Sequence, residues 1–220
     1  MRGLLAALML GSVLWISGAM VRGEGPEAPK APRPADGDAP LPVGFPDATA
    51  PGQIEVKHYP AYRSAVAEGQ GMSATSSDFL FWPLFRHIQS KNIAMTAPVI
   101  NTYRSPELLE TPGAKGEVTM EFLYREPTQG ETGPDGRVVT VRDHPASDYL
   151  CLGYQGHMDQ KAMQEGVAKL RTWLDEHKGE YTPDGPPRRL GYHGPMTEEA
   201  QRLWEVQIPV KAVGAGAAKP

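Results

Sequence analysis

Two segments of strict alternation constrain this chain more than anything else in it. From Glu117 to Tyr124, Val118, Met120, Phe122 and Tyr124 alternate with Glu117, Thr119 and Glu121. From Leu203 to Val210, Trp204, Val206, Ile208 and Val210 alternate with Glu205 and Gln207. A period of two puts apolar side chains on one face of a strand and polar ones on the other, so each segment reads as a half-buried antiparallel strand with one wet face. Further strand signals run from Ile54 to Ala67, from Ile93 to Tyr103 and from Arg137 to Val141, the last preceded by the turn residues Pro134, Asp135 and Gly136.

Only two segments carry the helical period. Phe81, Leu84, Phe85 and Ile88 fall on one face of a first helix, with Ser76, Ser77 or Asp78 as N-cap and an interior Pro83 that should kink it. Met163, Val167, Leu170 and Leu174 form the stripe of a second, which Asp159 can cap and His177, Lys178 and Gly179 can end. A parallel doubly wound sheet needs a crossover helix for nearly every strand pair, and two helices are too few. Val56, Lys57, Pro60 and Ala61 recur 85 residues later as Val141, Arg142, Pro145 and Ala146. The expected fold is therefore α+β: a curved antiparallel sheet or distorted open barrel of two pseudo-symmetric strand-helix-strand-strand halves, one helix on each.

The ends of the chain read differently. Arg2 is followed by an uncharged stretch from Gly3 to Val21 with small residues at Ser17, Gly18 and Ala19, so residues 1–22 read as a signal peptide or N-terminal anchor. Residues 23–51 hold eight prolines and read as a disordered spacer, 52–211 as the domain, and 212–220 as a disordered Gly/Ala tail. The expected location is exported, periplasmic or secreted, with residues 3–21 as a candidate membrane tether. Net charge is −4, and loss of the leader with Arg2 and Arg22 leaves 20 basic against 26 acidic side chains. Such a balance disfavours nucleic acid as a partner. Cys151 is the only cysteine and lies in the apolar run Tyr149 to Leu152, which reads as a small buried hydrophobe rather than a reactive thiol.

No motif for catalysis emerges. The chain has no Gly-x-Ser-x-Gly elbow, no His-Glu-x-x-His pair, no phosphate-binding Gly loop and no dinucleotide fingerprint, and its six histidines lack i, i+4 pairing. The expectation is a binder and not an enzyme. An enzymatic role would need His58, His144 or His193 beside a carboxylate in one pocket.

The string Ile93-Ala94-Met95-Thr96-Ala97-Pro98-Val99 reads physically as a central strand ending at proline, and it also resembles the signature of the SOUL haem-binding family. Ile54-Glu55-Val56-Lys57-His58-Tyr59, Phe81-x-x-Leu84-x-x-His87-Ile88 and Gly191-Tyr192-x-x-Pro195 agree with that family in order and approximate spacing. The resemblance implies a b-type, non-covalent haem or related tetrapyrrole in an apolar surface cleft between the first helix and the loop before the last strand. It would be lined here by Phe81, Phe85, Arg86, Tyr192, His193 and Met196. Arg86, or Arg188 and Arg189, would meet the propionates. His58 matches a position proposed as axial iron ligand in some members, and His193 is a second imidazole that the family pattern does not predict. Two departures stand out: only Gln89 to Asn92 separate Ile88 from Ile93, and Leu203 and Trp204 replace the family's usual Arg-Asn pair. The resemblance implies a carrier, scavenger or buffer of tetrapyrroles. The alternative on the same fold is a ligand-sensing or protein-interaction module that binds another hydrophobic molecule.

Overall fold

The computed structural model describes residues 39–73, 79–111 and 113–214. The leader, most of the Pro-rich segment, the N-cap candidates Ser76, Ser77 and Asp78, and most of the tail lie outside the described residues. Ten strands and three helices follow in the order β1 (Ile54–Tyr59), β2 (Tyr62–Met72), α1 (Phe81–Ser90), β3 (Val99–Tyr103), α2 (Glu107–Glu110), β4 (Gly116–Leu123), β5 (Gly133–Asp135), β6 (Val139–His144), β7 (Ser147–Gln155), α3 (Gln160–Glu176), β8 (Tyr181–Pro183), β9 (Arg188–Gly191) and β10 (Leu203–Ala212).

All ten strands join one antiparallel sheet in the order β1-β7-β10-β9-β3-β4-β2-β6-β5, with β8 beside β10. The α+β class with a curved antiparallel sheet is as expected. The order of elements is not strand-helix-strand-strand. The first expected strand breaks at Pro60 and Ala61 into β1 and β2, so two strands precede α1. Pro145 and Ala146 make the same kind of break between β6 and β7, ahead of α3. The second expected strand, Ile93 to Tyr103, starts only after Pro98, and Asp135 belongs to a hairpin strand whose turn is Gly136 to Val138.

Helices α1 and α3 sit on the same face of the sheet. Leu84 and Ile88 of α1 pack on Ala65, Ala67, Met120, Phe122 and Val141, over β2, β4 and β6. Met163, Val167, Leu170 and Leu174 of α3 pack on Leu150, Leu152, Val206 and Ile208, over β7 and β10. Pro83 does not kink α1, because it lies in the first helical turn, where the backbone N–H has no intrahelical acceptor to lose. Asp159 caps α3 as expected, accepting from the Ala162 N–H at 2.7 Å. The short link after α1 closes through Asn92 at φ 53°, with the Ile93 N–H donating to the Ile88 carbonyl at 2.8 Å, a left-handed turn that asparagine tolerates.

The helix-free face curls onto itself, and here the expected wet faces of β4 and β10 are corrected. Glu205 and Gln207 are wholly buried, and Thr119, Glu121 and Leu123 are buried as well. Arg188 of β9 reaches Tyr62 of β2 at 3.3 Å although β3 and β4 lie between those strands, so the sheet bends far enough to enclose its own polar row. Buried polar groups need partners there, and Glu205 and Gln207 find them. Glu205 accepts from Lys57 Nζ at 2.6 Å, from Gln207 and from the Thr49 backbone N–H. Gln207 also binds the hydroxyl of Tyr59 at 2.7 Å and receives Arg188 Nε at 2.8 Å.

Residues 39–51, part of the spacer by composition, pack against this interior. Phe45 meets Tyr59 and Tyr62 edge to face at 5.2 and 5.3 Å. The Ala97 N–H donates to the Pro40 carbonyl, the Val43 N–H to the Arg125 carbonyl, and the Gly52 N–H to the Gly153 carbonyl. Among the described residues no helix is long and apolar enough to cross a membrane.

Candidate functional site

Sheet order dictates where a cleft can form on the helical face. Since α3 covers β7 and β10 while α1 covers β2, β4 and β6, the strands between them, β9 and β3, are left without a helix above. The gap is a cleft of about 390 Å³. Phe81 and Trp82 of α1, Met120 of β4, Val99 of β3, Met158 ahead of α3 and Pro195 supply apolar lining. Asn101, Arg189, Arg202 and His193 supply the polar groups, with Gly191 and Gly194 completing the wall. That size lies within the usual range for small-molecule sites, as does the pairing of apolar walls with a few convergent polar groups.

Local bonding fixes the polar members. Arg202 donates through Nε to the Thr197 carbonyl at 2.9 Å and through Nη2 to the Pro195 carbonyl at 3.0 Å, which shapes the loop that carries His193. Arg189 donates to Asn101 Oδ1 at 3.1 Å, which orients the amide. The remaining Asn101 Nδ2 is buried without a hydrogen-bond partner at the cleft, a donor in want of an acceptor.

The residues expected from sequence divide over this geometry. Phe81 and His193 line the cleft, and Phe85 backs the wall by stacking on Phe81 at 5.6 Å. Arg86 faces a different depression, shared with Pro83, His87, Ser90, Asp135 and Arg137 to Val139. Tyr192 points the other way into the buried interior with Tyr59 and Leu190, as alternation along a strand demands, and Met196 is almost fully exposed in the loop. Arg188 is likewise interior, its guanidinium 3.4 Å from the centroid of the Tyr149 ring, whereas Arg189 faces the cleft.

The structure does not bring His58 to this place. It lies on β1, three strands from β9 in the sheet, or ~14 Å at ~4.8 Å per strand. Its Nδ1 is 2.7 Å from Asp148 Oδ1, its register partner on β7. Trp82, Asn101, Met158 and Arg202 were missed. Trp82 and Met158 carried a readable signal as large apolar residues beside the helical stripes, while Asn101 and Arg202 needed the strand pairing to be known.

A tetrapyrrole fits the residues present. A flat apolar ring suits the Phe81, Trp82, Met120 and Met158 walls, and its carboxylates suit the donor set of Arg189, Arg202 and the orphaned amide of Asn101. Among the described residues no group of three or more His, Cys, Asp and Glu could hold a bare metal ion.

A second depression, of about 400 Å³, lies on the far flank of α1 and holds a relay that no sequence motif announces. His87 Nδ1 is 2.5 Å from Asp135 Oδ2, and its Nε2 is 2.7 Å from the hydroxyl of Tyr124. Burial, with help from Asp135, pushes the Tyr124 phenol up to about 12, so the hydroxyl stays protonated beside the imidazole. The relay ties α1 to the end of β4 and to β5. His144 also meets a carboxylate, with Nε2 3.3 Å from Glu121 Oε2, but its side chain is only partly buried and lies outside the cleft.

Similar folds occur among solved structures. The EcmrR C-terminal domain superposes with a TM-score of 0.59 at 17% identity, covering 73% of this chain and 98% of that one. An uncharacterized conserved protein from Listeria innocua matches with a TM-score of 0.55 at 11% identity, over 73% of this chain and 93% of that one. A protein described as a hydrolase from Listeria innocua matches with a TM-score of 0.52 at 11% identity, over the same shares. At such identities these likenesses concern the fold alone. No curated protein matches the chain. The family model described as SOUL heme-binding protein matches residues 47–209, most of the chain and every element that builds the cleft. The chain belongs to the SOUL heme-binding protein family.

Proposed function

We propose that the chain binds haem, or a related tetrapyrrole, non-covalently in the cleft between α1 and α3, and serves as a carrier, scavenger or buffer outside the cytoplasm. The observation that carries this reading is the gap above β9 and β3, walled by Phe81, Trp82, Met120 and Met158, with Arg189 and Arg202 in the same lining. Rings and thioethers offer stacking area, and the two guanidiniums offer charge-assisted partners for propionates. His193, in the same lining, is the imidazole that would meet iron there. The uncharged leader of residues 3–21 supports the export part of the reading, since it would carry the binder to a compartment where free haem is met.

The test is a visible-light titration of the protein with haemin. A saturable Soret shift is expected, weakened by Arg189→Ala and by Met158→Glu, and moved in wavelength by His193→Ala. An absent or non-saturable shift would sink the haem reading, and a shift insensitive to all three substitutions would move the ligand out of this cleft.

A further inference from the structure

Aromatic side chains are concentrated at one place on the surface. Four of the chain's nine Phe and Trp residues fall between Phe79 and Phe85. Phe81 and Phe85 turn toward the sheet, but Phe79 and Trp82 are 74% and 62% exposed. Phe79, Trp82 and the exposed Arg86 are spaced by three and four residues, so they share one face of the helix and of the turn that leads into it. Trp82 contacts both Phe81 and Phe85 edge to face, at 5.7 and 6.2 Å, so the exposed ring stands on a firm base. Single exposed apolar residues are ordinary on proteins, whereas a cluster at the mouth of an apolar cleft marks a surface that something covers.

Charge says what kind of surface. In a chain of net charge −4, residues 79–91 contain no Asp or Glu and carry Arg86 and Lys91. The nearest acid that pairs with them is Asp135, 3.7 Å from Lys91 Nζ. A helix face that combines Trp and Phe with basic residues, and lacks acids, has the composition of an element that lies in a bilayer interface. Chain length outside the domain allows it: the 17 residues from Arg22 to Asp38 span at most ~60 Å extended at ~3.5 Å per residue, within reach of a membrane that holds the segment Gly3 to Val21. A tether of that kind raises the local concentration of the face, so a weak surface suffices.

We propose that the face formed by Phe79, Trp82 and Arg86 rests on a phospholipid bilayer, with the two rings in the interface and the guanidinium on lipid phosphates. Because Trp82 also lines the cleft, contact with lipid places the cleft mouth against the membrane, and an apolar ligand dissolved in the bilayer enters without crossing water. The lipid contact does not depend on which ligand the cleft takes.

The test uses the full chain carrying Trp15→Phe, so that the leader contributes no fluorescence, mixed with ligand-free vesicles of brominated phosphatidylcholine and phosphatidylglycerol. Emission should be quenched and shifted to the blue, since Trp204 is buried and Trp173 stacks on His177 away from this face. Adding Trp82→Phe should remove most of the quenching. Phe79→Ser with Arg86→Glu should weaken it while Trp82 is kept, with unchanged circular dichroism in both variants. Quenching that survives Trp82→Phe, or no quenching at all, would overturn the proposal. A dimer in sedimentation that Trp82→Phe dissolves, without quenching by lipid, would reassign the face to a second copy. The vesicles carry no tetrapyrrole, so failure here leaves the haem titration standing, and a failed titration leaves the lipid result standing.

Discussion

Lys57 Nζ lies 2.6 Å from Glu205 Oε1 across 148 residues of chain, and both side chains are buried. The pair joins β1 to β10, strands separated by β7 in the sheet. Removing one partner leaves a charge without compensation in a closed interior, which costs about 3–5 kcal/mol. Lys57→Met should therefore lower unfolding stability in urea by that order. Lys57→Met with Glu205→Leu should recover part of the loss, though not all, since Thr49 and Gln207 then lose their acceptor.

The pH dependence of stability should bear the mark of His144. Its ring stacks on Tyr62 at 4.4 Å and its Nε2 lies 2.8 Å from the Ser64 hydroxyl. Burial holds the imidazole below its ordinary range, against the opposing pull of Glu121. The unfolded chain then takes up the proton more readily, so this contribution is complete above about pH 6.5 and drains away as pH falls toward the lower folded value. Denaturation midpoints at pH 7.5 and pH 5.5 should differ in the native protein and differ less in His144→Asn.

Asp135 sets a second, more acidic window. The hydrogen bond from His87 holds its carboxyl below the ordinary carboxylate range. Stability from this contact is present above the unfolded value of about 3.9 and is lost as pH falls through the lower folded value. Asp135→Asn should thus be less stable than the native protein at neutral pH and converge with it in strong acid. His87→Ala should lose this acid-sensitive contribution too, and should stay about 1–3 kcal/mol less stable even in strong acid, because it leaves the buried Tyr124 hydroxyl without its partner.

Gly153 should tolerate no side chain. A Cβ built there would run into the backbone carbonyls of Thr49 and Ala50, which cannot retreat without breaking the Gly52–Gly153 hydrogen bond. Gly153→Ala should destabilise the protein by about 1–3 kcal/mol, the scale of overpacking. Amide exchange at Thr49 and Gly52 should accelerate far more than exchange in α3.

The helices were legible because their stripes have one reading: Leu84 and Ile88, or Met163 to Leu174, make a single apolar face. Strand existence was legible for the same reason. Sidedness was not, because Glu205, Gln207 and Glu121 look like solvent-facing residues until the curl of the sheet supplies Lys57, Arg188 and Ser64 as their partners. The arm from residue 39 to 52 was hidden by its prolines, which speak against a core while leaving Phe45 free to enter one. Of the expected cleft residues, Phe81 and His193 lie in the lining. His58 lies outside it, since a motif gives position along a chain and only the strand order β1-β7-β10-β9 gives distance across the sheet.

The arm of residues 39–52 is the first part of the described chain to be synthesised, yet Thr49 is held by Glu205, 156 residues later. Strand β10, which carries Glu205, also joins β7 to β9 and so bridges the two flanks of the sheet. A growing chain therefore holds this segment without its Glu205 anchor until β10 leaves the ribosome. Closure is a late, long-range event of the kind that slows folding, and a polypeptide stopped before β10 would remain an open sheet with its row of buried charges exposed to water.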